Sequence, residues 1–293
     1  MSNPGAPARR SLVLIGGMYA SHVEKITGWL LRQGARVPGS NIDNDGFALD
    51  ARLETVEIAA ALETFLLSVG SAWIDARPLP NSVFQSAAAE QCRHQLIDIF
   101  QREPWAEAPL VVGDPKTCRL MPIWRDVAAR LGLTPFIIIP FRDPAAVVSD
   151  LRHSVNLPDF FASTAWLTHM LWCERDTRGL RRIFVDADAW PMESRRLQRV
   201  LEDTPIGLMS PREEPGPWEE WQSDPTWRSA TTPPSHDPRC SAEIVRDTYR
   251  WLCAASRDRS PPLGEIDEIA QTLIGALELF DFYLGPRLTP VVQ

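Results

Sequence analysis

The stretch TPFIIIPFRDP, from Thr134 to Pro144, constrains the fold more than any other part of the chain. Its apolar run Phe136–Phe141 has no polar alternation, which is the pattern of a strand buried on both faces. A strand with no wet face needs helices on both sides. Three further runs end in turn formers and lead into helical spacing: SLVLIGGMYAS (11–21), APLVVGDPK (108–116) and RRIFVDADAW (181–190). After the first, Ile26, Trp29, Leu30 and Gln33 fall on one helical face. The same period predicts helices over 51–70, 84–102, 119–132, 144–153, 158–179 and 192–203, with two more at 241–256 and 265–283. Gly132 is placed to stop one of these helices, and Pro144 to start another. Strands alternating with helices predict an α/β fold in three layers, α/β/α, with a central parallel sheet and a helical C-terminal part.

The organisation follows from shifts in composition. Residues 1–10 read as a disordered Pro/Ala/Arg arm and 11–210 as the α/β core. Residues 211–240 hold seven prolines (Pro211, Pro215, Pro217, Pro225, Pro233, Pro234 and Pro238) and read as a loop or linker; its PWEEW piece reads as an acidic loop or a lid. Residues 241–293 read as helices packed on the same domain.

Charge and cysteine usage exclude several function classes. With 30 basic and 38 acidic residues the net charge is −8, so a general nucleic-acid partner is not expected. The five cysteines (Cys92, Cys118, Cys173, Cys240 and Cys253) show no CxxC pair and no metal-ligand spacing, so no metal and no disulfide framework are expected. A reducing, cytoplasmic setting follows. Leu12–Tyr19 is too short for a signal peptide and is followed at once by charged residues; no apolar run approaches a membrane span. Only two of the 30 basic residues are lysines, Lys25 and Lys116, which leaves 28 arginines.

In an open α/β sheet, ligands bind outside the carboxyl ends of the strands. Three of those ends carry suggestive residues. GGMYASHVEK (16–25) outlines an anion cradle, with glycines in the turn and the positive end of a helix behind them, although a tight strand–helix turn gives the same pattern. It has neither GxxxxGK[ST] nor GxGxxG spacing. The second is Gly113-Asp114-Pro115-Lys116. The third is Phe141-Arg142-Asp143-Pro144, in which Arg142 is either a phosphate ligand or half of a surface Arg–Asp pair.

The ordered set of motifs resembles bacterial sulfotransferases that use 3′-phosphoadenosine-5′-phosphosulfate (PAPS). Those proteins open with a strand and GMHRSGTS, where this chain has GMYASHVE (17–24). They continue through GYFES and GSxWDDPRPLP, where this chain has Asp45-Gly46-Phe47 and GSAWIDARPLP (70–80). Their WKDPRLC and LPFW correspond to VGDPKTC (112–118) and MPIW (121–124). Their RDP is Arg142-Asp143-Pro144, and their tryptophan followed by TRGLPR is Trp166 and TRGLRR (177–182). Order and gaps agree from about 12 to 205.

The resemblance implies a P-loop-like fold and in-line transfer of a sulfuryl group from PAPS, as co-substrate, to a hydroxyl or amine of a small molecule or glycan. It implies that Gly17, Met18 and Ser21 lie around the 5′-phosphosulfate, and that Arg142 with Ser149 holds the 3′-phosphate; Lys25, one residue beyond the turn, is either a compensating cation there or a surface lysine. The catalytic candidates are Asp114 and His22, as bases nearest the inferred reacting centre, and Lys116, as a cation on the donor; His153 is a third base candidate. This chain departs from the family at several of these positions. Ala20 replaces the arginine of GMHRSGTS, and His22, Val23 and Glu24 replace its glycine, threonine and second serine. Leu49 falls at the glutamate of GYFES, and Gly113 replaces the lysine of WKDPR, with Lys116 at its arginine. Eight residues past Arg142 stands Asp150, where the family has serine, and Ser149 comes one position early. Arg178 and Arg182 are expected to pair with acids such as Glu174, and Trp166 and Trp172 to lie in the core or a pocket wall.

Overall fold

The computed structural model describes residues 11–38, 56–102, 108–204, 206, 243–257 and 259–284. The expected arm at 1–10, residues 39–55, which hold the Asp45-Gly46-Phe47 motif and the expected start of the helix over 51–70, and the Pro-rich stretch 211–240 lie outside them. Four parallel strands form one sheet: β1 (Ser11–Ile15), β2 (Leu110–Gly113), β3 (Thr134–Phe141) and β4 (Arg181–Asp186), in the order β2-β1-β3-β4. β1 pairs with β2 from Leu12↔Leu110 to Ile15↔Gly113 and with β3 from Ser11↔Thr134 to Ile15↔Ile138. β3 pairs with β4 from Phe136↔Arg181 to Phe141↔Asp186.

Side chains one residue apart go to opposite faces of a strand, and here both faces are buried. Leu12, Leu14, Leu110, Val112, Ile137, Ile139, Phe141 and Phe184 join one core cluster. Their neighbours Val13, Ile15, Val111, Phe136, Ile138, Ile183 and Val185 join another. The smaller cluster is closed by α1 (Val23–Arg32) and α7 (Trp190–Glu202) through Ile26, Trp29, Leu30, Leu197 and Leu201. The larger is covered by α2 (Val56–Ser68), α3 (Ala87–Arg102), α4 (Met121–Leu131), α5 (Pro144–Val155) and α6 (Asp159–Asp176). This is the expected α/β/α layering. The helices α8 (Glu243–Ser256) and α9 (Leu263–Leu284) complete the larger cluster through Val245, Trp251, Leu252, Ile266 and Leu273. Tyr249 meets Phe141 edge-on at 6.0 Å and Trp251 meets Phe184 at 5.7 Å, so the C-terminal helices close the core over β3 and β4.

Capping residues move several helix starts from where periodicity puts them. The helix expected from 84 begins at Ala87, because Ser86 is extended and its Oγ accepts from the Ala89 amide at 3.2 Å; Asn81–Gln85 form a separate 3-10 turn. The helix expected from 119 begins at Met121, because Asp114 caps a 3-10 turn over Pro115–Arg119. The helix expected to reach 179 ends at Asp176, where the Thr177 hydroxyl donates to the Cys173 carbonyl at 2.6 Å. Gly132 ends α4 in the left-handed conformation, as expected. Trp166 and Trp172 are both buried in the core. Glu174, 1 % exposed at its side chain, accepts from Arg178 at 2.6 Å and from Arg182 at 2.8 Å, and Arg178 reaches Asp267 of α9 at 2.7 Å. Among the described residues no helix is long and apolar enough to cross a membrane.

Candidate functional site

The strand order sets where a ligand has room. From β1 the chain crosses first to β2 on one side and then to β3 on the other. The topological switch therefore lies between the carboxyl ends of β1 and β3, where open α/β sheets leave a crevice. The Gly16–His22 turn leaves β1 there, and Arg142 leaves β3.

The turn departs from a simple glycine loop. A Cβ on Gly17 would stand 2.6 Å from Pro140 Cγ and 2.9 Å from Val23 Cγ2, so Gly17 is required by the close approach of β3 and α1. The positive φ angles fall instead on Ala20 (66°) and His22 (60°), two side-chain-bearing residues in a conformation costly for them. Met18 is buried in the core, so its backbone rather than its side chain belongs to the turn; its carbonyl accepts from the Ser21 amide at 3.0 Å. Ser21 is wholly buried and its hydroxyl has no hydrogen-bond partner among the described residues. The Glu24 carboxylate is 60 % exposed at the side chain, at 3.8 Å from His22 Nδ1. Burial pushes the His22 pKa down, against the opposing pull of Glu24, so the imidazole is neutral at pH 7. Lys25 sits half-buried in the first turn of α1.

Arg142 is an Arg–Asp partner, as one reading of its strand end expects, but in the interior: it is 1 % exposed. Its Nε donates to Asp188 Oδ1 at 2.9 Å. One terminal nitrogen donates to Asp150 Oδ2 at 2.7 Å and to the Ala20 carbonyl at 2.8 Å. The guanidinium thus spans the switch point and ties the turn after β1 to α5 and to the turn after β4. Burial works against its charge, and Asp188 and Asp150 more than offset this, so its pKa is raised. The second oxygen of Asp188 accepts from the Asp143 amide at 2.8 Å. Ser149, one residue before Asp150 on α5, is half-buried and is not among the partners of Arg142.

Asp114 and Lys116 form a second group at the end of β2. The Asp114 side chain is 1 % exposed; its Oδ1 accepts from the Lys116 amide at 2.7 Å and its Oδ2 lies 3.2 Å from Lys116 Nζ. That second contact lacks hydrogen-bond geometry, so Oδ2 has a counter-charge but no directed donor. The ammonium also stands 4.0 Å from Glu63 of α2. The neighbouring Thr117 hydroxyl is buried and without a hydrogen-bond partner among the described residues. The structure therefore brings Ser21, Arg142 and the His22 turn together across the β1/β3 crevice, with Asp114 and Lys116 beside β1 on the β2 side. His153 lies apart on α5, where its Nδ1 is 2.6 Å from the Ser149 carbonyl.

Sequence reasoning missed two groups. Asp188, in the turn after β4, is the first partner of Arg142, and Asp186 stands beside it. Burial, reinforced by Asp188, raises the Asp186 pKa to about 6, and burial also raises that of Asp143. The DAD pattern at 186–188 was the available signal. The second group is Arg119, buried, which donates to Ser71 Oγ at 3.2 Å, to the Arg77 carbonyl at 2.9 Å and to the Ala72 carbonyl, so that it holds the 71–77 segment. There Trp73 meets the exposed Tyr19 of the β1 turn at 5.3 Å, forming an aromatic wall. Among the described residues no cluster of His, Cys, Asp and Glu is arranged to hold a metal.

No family model matches the chain, and no curated protein matches it. Among solved structures it is similar to the sulfotransferase domain from the Synechococcus PCC 7002 olefin synthase, at 14% identity over 93% of this chain and 98% of that chain, with a TM-score of 0.42.

Proposed function

We propose that the chain is a sulfotransferase-type enzyme that moves a sulfuryl group from an adenosine phosphosulfate, PAPS by the motif resemblance, to a hydroxyl or amine of a small molecule or glycan. The observation that carries this reading is the Ser21 hydroxyl. It is buried and unpartnered on the turn that the resemblance assigns to the phosphosulfate, beside the N-terminus of α1. A buried hydroxyl without a partner costs about 1–3 kcal/mol, a cost that a bound anion relieves. In the reaction the acceptor oxygen or nitrogen bonds to sulfur as the bond from sulfur to the 5′-phosphate oxygen breaks in line. The acceptor proton passes to a base, and the nucleotide leaves as a phosphate. Two groups suit the proton: neutral His22, whose buried imidazole has a nitrogen able to accept, and Asp114. Lys116 is the ammonium assigned to the leaving group, a role in which it exchanges its contact with Asp114 or Glu63 for the departing phosphate. The exposed Tyr19 and its partner Trp73 offer a wall for the acceptor.

The pairing of Arg142 with Asp150 and Asp188 favours a second reading, a protein of the same fold that takes another anionic donor or binds without catalysis. Incubation with radiolabelled PAPS and a panel of hydroxyl and amine acceptors tests the enzyme. Thermal-shift titration with 5′-phosphorylated adenosine nucleotides tests the site, since ligand at a hundred times Kd adds about 2.7 kcal/mol. The site reading expects a saturable rise that Lys116→Ala and Arg142→Ala weaken. No rise with any such nucleotide refutes it, and a rise without label transfer from PAPS leaves the second reading, another donor or binding alone.

A further inference from the structure

Asp150 is a half-exposed carboxylate held on a buried guanidinium at the edge of the crevice. Asp188 shares the same arginine, but the two are not equivalent. Both oxygens of Asp188 are used, one by Arg142 Nε and one by the Asp143 amide, and its side chain is 13 % exposed. Asp150 commits one oxygen to Arg142 at 2.7 Å; the other has no hydrogen-bond partner among the described residues, and the side chain is 45 % exposed. Asp188 is the anchor and Asp150 is the open member.

The charge of this group decides what binds next to it. One guanidinium against two carboxylates gives 1 − 2 = −1 before any ligand arrives. A phosphate dianion brought to the arginine, whether it takes the place of Asp150 or meets the second terminal nitrogen, must lie beside the carboxylate, which α5 keeps close. A hydroxyl meets no such penalty and finds in Asp150 a charged acceptor already oriented by a buried arginine. Nucleotide sites use this contrast: a carboxylate accepts from a free ribose hydroxyl, whereas an arginine accommodates a ribose phosphate. The Ser21 hydroxyl, buried and unpartnered on the turn whose Ala20 carbonyl also binds Arg142, is an independent sign that the crevice takes a polar ligand.

We infer that Asp150 is a specificity-determining residue of the crevice, selecting a nucleotide whose ribose carries a free hydroxyl at the position near Arg142 over one phosphorylated there. The inference rests on the proposed nucleotide site. Under it the preferred donor is the adenosine 5′-phosphosulfate type without a ribose phosphate, and PAPS is the weaker ligand.

The test is calorimetric titration of the full chain with adenosine 5′-monophosphate and adenosine 3′,5′-bisphosphate, which differ only in the ribose phosphate. Wild type should bind the monophosphate at least tenfold tighter. Asp150→Ser and the isosteric Asp150→Asn should each move the ratio at least tenfold toward the bisphosphate, with circular dichroism confirming that both variants are folded. Two results overturn the inference while leaving the nucleotide site intact: tighter bisphosphate binding by wild type, or variants that change both affinities equally. If neither nucleotide binds any of the three proteins, the inference and the proposed function fall together.

Discussion

Replacing Gly17 by alanine isolates the packing on which the crevice depends. The new methyl would stand 2.6 Å from Pro140 Cγ, 2.9 Å from Val23 Cγ2 and 3.2 Å from Pro140 Cδ. Real Cβ contacts essentially never fall under 3.0 Å, so β3 and the turn must separate by at least 3.0 − 2.6 = 0.4 Å. The neighbours have little freedom to yield, since one is a proline ring and the other a β-branched side chain in a helix. Overpacking of this kind costs about 1–3 kcal/mol. The strain falls two residues before Arg142 and three before Ala20, so it also bears on the bond between them. Urea unfolding followed by tryptophan fluorescence should show a lower midpoint at unchanged slope. Pro140→Ala removes the two ring carbons in contact, so Gly17→Ala with Pro140→Ala should cost about 1–2 kcal/mol less than the sum of the single changes. Gly275→Ala on α9 is the internal control: nothing lies within 4 Å of its Cβ position, and it should stabilise by up to about 1 kcal/mol. A Gly17→Ala cost below about 0.5 kcal/mol, or strict additivity with Pro140→Ala, refutes the close-approach argument.

Three further outcomes follow from other groups. Ser21→Ala should leave the ligand-free protein as stable or stabilise it by up to about 1 kcal/mol, because an unpartnered buried hydroxyl is lost, while weakening nucleotide binding; a large loss of stability contradicts this. Glu174→Ala should cost about 1.5–3 kcal/mol in urea unfolding, since Arg182 loses its carboxylate while Arg178 keeps Asp267, and a cost under about 1 kcal/mol contradicts that. Asp186 has a folded pKa of about 6, raised from 3.8, so the folded state holds its proton more tightly than the unfolded chain. Its contribution is favourable at low pH and lost as pH rises through about 6. Asp186→Asn should therefore stabilise at pH 7, on the order of 1–2 kcal/mol after screening, and the gain should vanish below about pH 4. Melting curves of both proteins from pH 4 to 8 check this, and a gain that grows toward low pH refutes it.

The layers were legible because both hydrophobic periods are strong. Phe136, Ile137, Ile138 and Ile139 alternate between two core clusters, as a strand buried on both faces must. Helix starts were less legible at Ser86 and Asp114, where one side-chain oxygen on the backbone outweighs the apolar period. The strand order was not legible, since the runs carry no mark of their neighbours. At the site, the local part could be read: Asp114 and Lys116 are two residues apart, and Asp150 was already conspicuous eight residues past Arg142. The role of Asp188 could not be read, because a separation of 46 residues is bridged only once β3 and β4 pair. The lysine count pointed to the strand ends, yet it gave no hint that Lys116 has Asp114 and Glu63 as counter-charges.

The seating of α8 on β3 and β4 also bears on how the chain is made. Tyr249 and Trp251 cover Phe141 and Phe184, which are synthesised long before them. When Leu201 leaves the ribosome, all four strands exist but Phe141 and Phe184 still lack the cover of α8. About 50 more residues must be added before α8 is complete, which takes roughly 3–10 s at common elongation rates. During that interval the nascent sheet presents aromatic side chains to the medium. A chaperone that engages exposed apolar surface should crosslink to ribosome-bound chains of which residues up to about 210 have emerged and release those in which α9 has emerged too.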